Sequence, residues 1–225
     1  MLHSLRKHHI LVTLGPTWEF IDPIRFITNR ATGTLGYLIA QEGLRRGHRL
    51  TCIAGPTALV PLPGVRWVNV VGAEEMRQAV VRIFPKIDVL VMSAAVSDYG
   101  MANPFSLKLK RGERPLRLSL RPTQDILKGI DRIRKRQILV GFTVETERLL
   151  KRAAKKLKEK KLDLIIANLV GKRAQPFGNR KVSVHFLWKD GRRRSFRNVS
   201  KQRLARMILR AVGEFVRARG AVAKW

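Results

Sequence analysis

The sequence predicts an α/β fold with a doubly wound, mostly parallel sheet, and three observations carry that prediction. Short apolar runs of strand length, at residues 10–14, 49–54 and 88–96, alternate with segments whose apolar residues recur at helical spacing. The run DVLVMSAAV at 88–96 is apolar almost throughout, as expected of a parallel strand covered on both faces. The first run ends at Gly15-Pro16-Thr17, and Thr32-Gly33 then opens a helix, an order that turns backbone N–H groups toward an anion at the positive helix end. The expected architecture is Rossmann-like, with a small antiparallel arm and a C-terminal hairpin plus helix.

In chain order, the strand at 10–14 leads through a polar connection of about 16 residues to a helix that stops at Gly47; such connections usually run about 2 to 6 residues, so this one reads as functional. Residues 49–54 form the second strand, closed by Gly55-Pro56-Thr57, and 65–71 the third, after a Pro/Gly-rich loop at 61–64. Residues 73–84 are helical, with Met76, Ala79, Val80, Ile83 and Phe84 on one face. Residues 104–121 then change texture, alternating apolar with basic in SLKLKR and LRLSL. This is the period of a hairpin with one cationic face, read as an arm or flap; it would equally suit an exposed ribbon whose lysines discourage edge pairing. A short helix at 123–134 and a buried strand at 137–142 follow. The helix at 146–161 carries the stripe Leu149, Leu150, Ala153, Ala154 and Leu157. Residues 162–169 form a strand, and 182–188 pairs with 193–199 around Asp190-Gly191. Ser200 caps the last helix, whose packing face is Leu204, Met207, Ile208, Ala211, Val212 and Phe215.

A chain of 225 residues with 45% hydrophobic content can bury one full core, so residues 1–225 read as a single domain. No apolar segment approaches the roughly 18 to 20 residues of a membrane span, and the basic N-terminus lacks the apolar core of a signal peptide. The expected location is the cytoplasm, with no membrane partner. The one cysteine, Cys52, lies within a strand and excludes an internal disulfide or a Cys-based metal cluster.

Formal net charge is +30, unevenly spread: residues 1–100 hold 11 basic and 7 acidic side chains, residues 101–225 hold 35 and 9. Such a field concentrates polyanions. Nucleic acid and a nucleoside triphosphate are both candidate partners, and a solvated basic face with no partner would look the same.

The corner residues Gly15, Thr17, Thr32 and Gly33 suit a dinucleotide, a mononucleotide or merely a tight turn. Asp98, just past the central strand, can hold a ribose hydroxyl or a phosphate-bound Mg²⁺, or cap the next turn. Arg152, Lys156 and Lys160 fall at i, i+4 and i+8 along one border of the 146–161 stripe, placed to face the crevice, while Arg148, Lys151, Lys155 and Lys158 point away.

Seven segments then coincide in order and spacing: GPTWEFIDPIRFITNRATG, SAAVSDY, KLKR at 108–111, QDIL, VGFTVET, KKLKEKKLDLIIAN and FGNRKVSVHFLW. Over nearly its whole length the chain resembles the phosphopantothenoylcysteine synthetases, the phosphopantothenate-cysteine ligases of coenzyme A synthesis. The resemblance implies two half-reactions: the carboxylate of 4'-phosphopantothenate attacks the α-phosphate of a nucleoside triphosphate, CTP in the bacterial enzymes, and the amine of cysteine then displaces the nucleotide. It implies Mg²⁺ or Mn²⁺, no flavin, and a homodimer in which the arm closes over its own or the partner's site. By position, Asn29 matches the family residue that acts on the acyl-nucleotide, and Arg25 the partner of the substrate phosphate. Lys108 matches the first lysine of the arm that reaches the triphosphate. Ala94, Asp98, Gln124, Asp125, Ile126, Leu127, Phe142, Lys156 and Lys160 match nucleotide-contacting positions, with Asp98 on the ribose or the metal.

This chain departs from the family at Thr34-Leu35, where Lys-Met is usual, at Gln124, where proline is usual, and at Arg111, which keeps charge but changes geometry. About nine residues precede the first strand, so the expected form lacks the flavin-dependent decarboxylase domain often fused in front, and the decarboxylase would be a separate protein. Two rival classes fare worse. A nicotinamide-dependent reductase of the short-chain type needs Tyr-x-x-x-Lys, but Tyr37 is followed at that spacing by Gln41 and Tyr99 by Asn103. A dedicated nucleic-acid-binding protein is suggested by the charge and by the three arginines at 192–194, yet zinc-ligand spacing, RNP motif and helix-turn-helix are lacking; weak, salt-sensitive nucleic-acid binding remains an expected consequence of charge.

Overall fold

Strand β1 (His9–Leu14) is apolar from Ile10 to Val12 and again at Leu14 because both its faces are covered: Ile10, Val12 and Leu14 pack into one helical layer and Leu11 into the other. In the computed structural model, which describes residues 7–112, 115–171 and 177–222, β1 sits inside an eight-stranded sheet. The chain continues through β2 (Trp18–Phe20), β3 (Phe26–Thr28), α1 (Thr34–Arg45), β4 (Arg49–Ala54), β5 (Arg66–Asn69) and α2 (Ala73–Ile83), which ends in a 3-10 turn at Phe84–Lys86. Then come β6 (Val89–Met92), β7 (Tyr99–Met101), β8 (Leu120–Pro122), α3 (Ile126–Asp131), β9 (Ile138–Glu145) and α4 (Leu149–Glu159). The last elements are β10 (Leu164–Leu169), β11 (Val182–Trp188), β12 (Arg193–Val199) and α5 (Lys201–Val222).

The sheet order is β12-β11-β10-β9-β6-β1-β4-β5, parallel from β10 to β5 and antiparallel at β11 and β12. Helices α1 and α5 cover one face, and α2, α3 and α4 the other. Each buried Val, Leu or Ile in these layers contributes about 1.5–3 kcal/mol relative to exposure. After β1 the chain winds outward through β4 and β5, then returns to β6 and winds the other way. Strand order therefore reverses between β1 and β6, where a crevice opens at the C-terminal strand ends. Gly36 keeps α1 tight on the sheet there, since a Cβ would come within 2.6 Å of the Leu14 Cβ.

The expected Rossmann-like fold is present, with informative differences in detail. The apolar run 88–96 is strand only as far as Met92; Ser93 turns back onto the Val91 carbonyl (3.1 Å), and Ala94 and Ala95 bond to the Thr13 hydroxyl and the Gly15 carbonyl. Small residues permit that close path across the end of β1. The long polar loop contains the β2–β3 hairpin, organised by the stack of Trp18 on Phe26, whose ring centroids are 4.0 Å apart.

The arm is not the ladder its alternation suggested. Only Tyr99–Met101 and Leu120–Pro122 pair, as a short antiparallel base, and the described residues between them form no strand; Glu113 and Arg114 lie outside the described residues. Period-2 alternation needs a partner face to become a strand, and here Leu107 and Leu116 remain exposed. Helix α4 starts at Leu149, after Arg148 in left-handed backbone (φ 48°), and Leu150 is exposed rather than part of the docked stripe. The docked stripe is narrower than the sequence suggested: Ala153 is fully buried, with Leu149, Ala154 and Leu157 partly buried beside it.

Candidate active site

The crevice is built from loops tied down at short range. Asn29 donates through its amide nitrogen to the carbonyls of Ala95 (3.0 Å) and Val96 (3.2 Å), joining the loop after β3 to the strand-end segment. Both amide protons are thereby engaged, so Oδ1 is the polar atom that Asn29 has left to offer. Thr17 is buried; its hydroxyl accepts from the Ser97 amide at 3.0 Å and its carbonyl from the Thr28 hydroxyl at 2.8 Å. Thr17 thus acts as a strut, and Gly15 accepts from Ala95; neither lines the two cavities of the site. Thr32 and Gly33 line a small cavity of about 150 Å³ at the start of α1. Gly33 takes the N-cap position with φ 76°, and no side chain caps the helix.

Beside it lies a cavity of about 1010 Å³. Asn29, Ala94, Asp98, Gln124, Asp125, Ile126, Leu127, Phe142, Lys156 and Lys160, ten of the residues singled out in the sequence, all line it. They come from five places in the chain, and the fold brings them around one cavity. Phe177 borders both cavities and lies under the Arg30 guanidinium, 5.4 Å from its carbon to the ring centre.

Helix spacing places Lys156 and Lys160 on the inner side of α4. Lys160 pairs with Asp125, whose Oδ1 caps α3 by accepting from the amides of Leu127 (3.0 Å) and Lys128 (3.1 Å). Burial pushes the Asp125 carboxyl up, but the Lys160 hydrogen bond and the helix amides outweigh it and hold the group below its ordinary range. Lys156 is brought below the ordinary lysine range by burial, against the opposing pull of Asp98 and Glu145. Arg152, the third member of the row, is engaged outside the cavity by Glu145 (3.1 Å) and Glu147 (2.7 Å).

Glu145 is the cavity acid that sequence reasoning passed over. It accepts from the Thr143 hydroxyl at 2.7 Å and reaches the site because β9 runs to Glu145, beyond the expected end at 142. Continued period-2 alternation through Phe142-Thr143-Val144-Glu145 was the available signal. Asp98, by contrast, makes no ion pair among the described residues, whose His, Cys, Asp and Glu form no cluster of three that could hold a metal ion. A Mg²⁺ ion, which keeps waters and takes one or two carboxylates plus substrate phosphates, fits Asp98 in that way.

Two expected site residues stand apart. Arg25 lines neither cavity: its Nε donates to the buried Asp22 at 2.9 Å and its Nη2 to the Leu109 carbonyl at 2.7 Å, while the Leu109 amide donates to Asp22 at 3.1 Å. The Arg25 hydrogen bond holds the Asp22 carboxyl well below the usual carboxylate range. The pair therefore clamps the arm one residue beyond Lys108, which is exposed and also lines neither cavity. Cys52 is buried in β4, and its thiol is pushed up to about 12 by burial, so it is no nucleophile.

Residues 5–215 match the family described as the DNA/pantothenate metabolism flavoprotein C-terminal domain. The chain belongs to this family. The bifunctional coenzyme A biosynthesis protein CoaBC of Bacillus subtilis is 37% identical over 217 residues, covering 96% of this chain and 53% of that protein. A protein named cysteine/cysteine sulfinic acid decarboxylase, from an unknown prokaryotic organism, is 32% identical over 210 residues, covering 92% of this chain and 58% of the other. The crystal structure of the C-terminal domain of CoaBC matches with a TM-score of 0.80 at 32% identity, covering 96% of this chain and 98% of that one. The family member thus spans about half the length of its curated relatives and nearly all of a solved C-terminal domain. The sequence resemblance to the phosphopantothenoylcysteine synthetases holds at the level of family and fold. Among the described residues, no helix is long and apolar enough to cross a membrane.

Proposed function

We propose that the chain joins 4'-phosphopantothenate to cysteine through an acyl-nucleotide intermediate, with CTP as the nucleotide and a homodimer as the working form. The observation that carries this reading is the large cavity at the strand ends, where Lys156, Lys160 and Asp98 line one space of nucleotide size beside the uncapped start of α1. Two anions must meet there, because a carboxylate reacts with an amine only after its oxygen becomes a leaving group. In the first step a carboxylate oxygen bonds to the α-phosphorus and pyrophosphate leaves. Lys156, Lys160 and, on arm closure, Lys108 screen the triphosphate. Mg²⁺ held by Asp98 together with the phosphates would supply further charge neutralisation. In the second step the cysteine nitrogen bonds to the acyl carbon, the nucleoside monophosphate leaves with the bonding pair, and the nitrogen loses a proton. Asn29, through Oδ1, orients the attacking amine.

The bifunctional relatives combine this chain's counterpart with a further segment, and the decarboxylase activity in one relative's name belongs to a protein 42% of which lies outside the match. Asn29→Ala tests the assignment: in a single turnover with radiolabelled 4'-phosphopantothenate, acyl-nucleotide should accumulate while amide formation falls by about 10²-fold, the scale of losing one oriented polar contact. Unchanged amide formation would remove Asn29 from the second step.

A further inference from the structure

At the opposite end of β11 and β12 lies a groove of about 420 Å³ that no step of the proposed reaction uses. Its floor is Phe186, Trp188 and Phe196, and its rim is Arg194 from β12 with Arg203, Arg206 and Arg210 from α5. None of these four guanidinium groups has an ion-pair partner among the described residues. The one acid in the groove, Glu214, is engaged by Arg192 at 3.4 Å, and Arg192 in turn lies over the Trp188 ring at 5.2 Å. Trp188 is 4% exposed, and its indole N–H is the one buried side-chain polar atom without a hydrogen-bond partner among the described residues. Four guanidiniums without ion-pair partners among the described residues, set over an apolar floor, make the groove a site for an anionic ligand.

We infer that this groove binds single-stranded nucleic acid. Length favours an oligonucleotide over a free nucleotide: Arg203, Arg206, Arg210 and Arg217 fall at spacings of three, four and seven on one side of α5, a row of about 21 Å at 1.5 Å per residue. Guanidinium planes can stack on the faces of unpaired bases, while the cationic rim follows the phosphates. The inference is independent of the ligase reading, since α5 contributes Lys201 and Leu204 to the small cavity by the active site and the groove lies farther along the helix.

The test compares two double charge reversals of equal spacing and equal charge. Anisotropy of a fluorescein-labelled 12-nucleotide mixed-sequence RNA is titrated with wild-type protein, R203E/R210E, and K151E/K158E on the exposed side of α4, at about 0.15 M salt. The expected result is at least tenfold weaker binding for R203E/R210E, less than twofold change for K151E/K158E, and weaker binding of the matching duplex than of the single strand. Trp188→Phe should retain the binding but lose part of the intrinsic fluorescence quench that the RNA produces. Equal losses in the two reversal variants, tighter duplex binding, or absent binding by the wild type would overturn the inference. CTP that competes with the RNA as well as an unlabelled 12-mer would do so too.

Discussion

Two basic segments proposed to serve the triphosphate site are held by different physical means. Helix α4 brings Lys156 and Lys160 to the cavity wall as a consequence of packing: Ala153 is fully buried against the sheet, and the residues three and seven positions on must then face the crevice. The arm brings Lys108 by attachment, through the Asp22–Arg25 clamp on Leu109 and the pairing of β7 with β8, and leaves it outside the cavity. Charge on a packed helix is prepositioned; charge on the arm would, in the proposed reaction, arrive with closure. A synthetase benefits from both, because substrates must enter before the anions are sealed together.

The largest expected effect breaks the arm side. Lys108→Ala should reduce pyrophosphate release more than about 10²-fold with nucleotide affinity in the absence of acid substrate nearly unchanged, as measured by calorimetric titration with CTP and a coupled pyrophosphate assay. Equal loss of affinity would mean that the arm is already in place before closure. Lys160→Ala should act in the other order, weakening nucleotide binding about tenfold or more by removing a charged partner worth about 1.5–3 kcal/mol and leaving Asp125 uncompensated. Arg25→Ala releases the clamp without touching the cavity, so the account predicts a severalfold rise in KM for the acid substrate and faster proteolysis within residues 102–119; no change in cleavage would refute the clamp.

The pH dependence sharpens the helix side. Because burial lowers the Lys156 pKa, its ammonium loses its proton at a lower pH than an ordinary lysine, and CTP affinity should fall as pH rises through that depressed value. Lys156→Arg, which stays charged, should move the decline to higher pH, and an identical profile would detach the effect from Lys156. The smallest contrast lies within α4 itself. Leu150→Lys should change stability by no more than about 0.5 kcal/mol, as an exposed site, whereas Ala153→Leu should cost about 1–3 kcal/mol by overpacking, both read from urea denaturation.

The same contrast explains what was legible in the sequence. Strands at 182–188 and 193–199 and the α4 lysine row came directly from periodicity, because turn geometry and helix pitch are local. The β2–β3 hairpin was hidden, since three-residue strands carry too little pattern and this one is organised by Trp18 stacked on Phe26. The arm misled in the other direction: its alternation is real, but among the described residues only Tyr99–Met101 and Leu120–Pro122 pair, and no ladder continues beyond that base. Leu150 looked like core because helical spacing reports one face but not how wide a face the sheet can cover. The role of Arg25 as a clamp was invisible because it depends on Leu109, eighty-four residues away.

The central claim is that this cavity activates a carboxylate with a nucleoside triphosphate. The direct measurement is pyrophosphate release from 4'-phosphopantothenate and Mg²⁺ with CTP or ATP, with and without cysteine. The account predicts release with CTP that needs the acid substrate, and appearance of CMP only when cysteine is added. Hydrolysis to diphosphate and inorganic phosphate, or no release with either nucleotide, would contradict it.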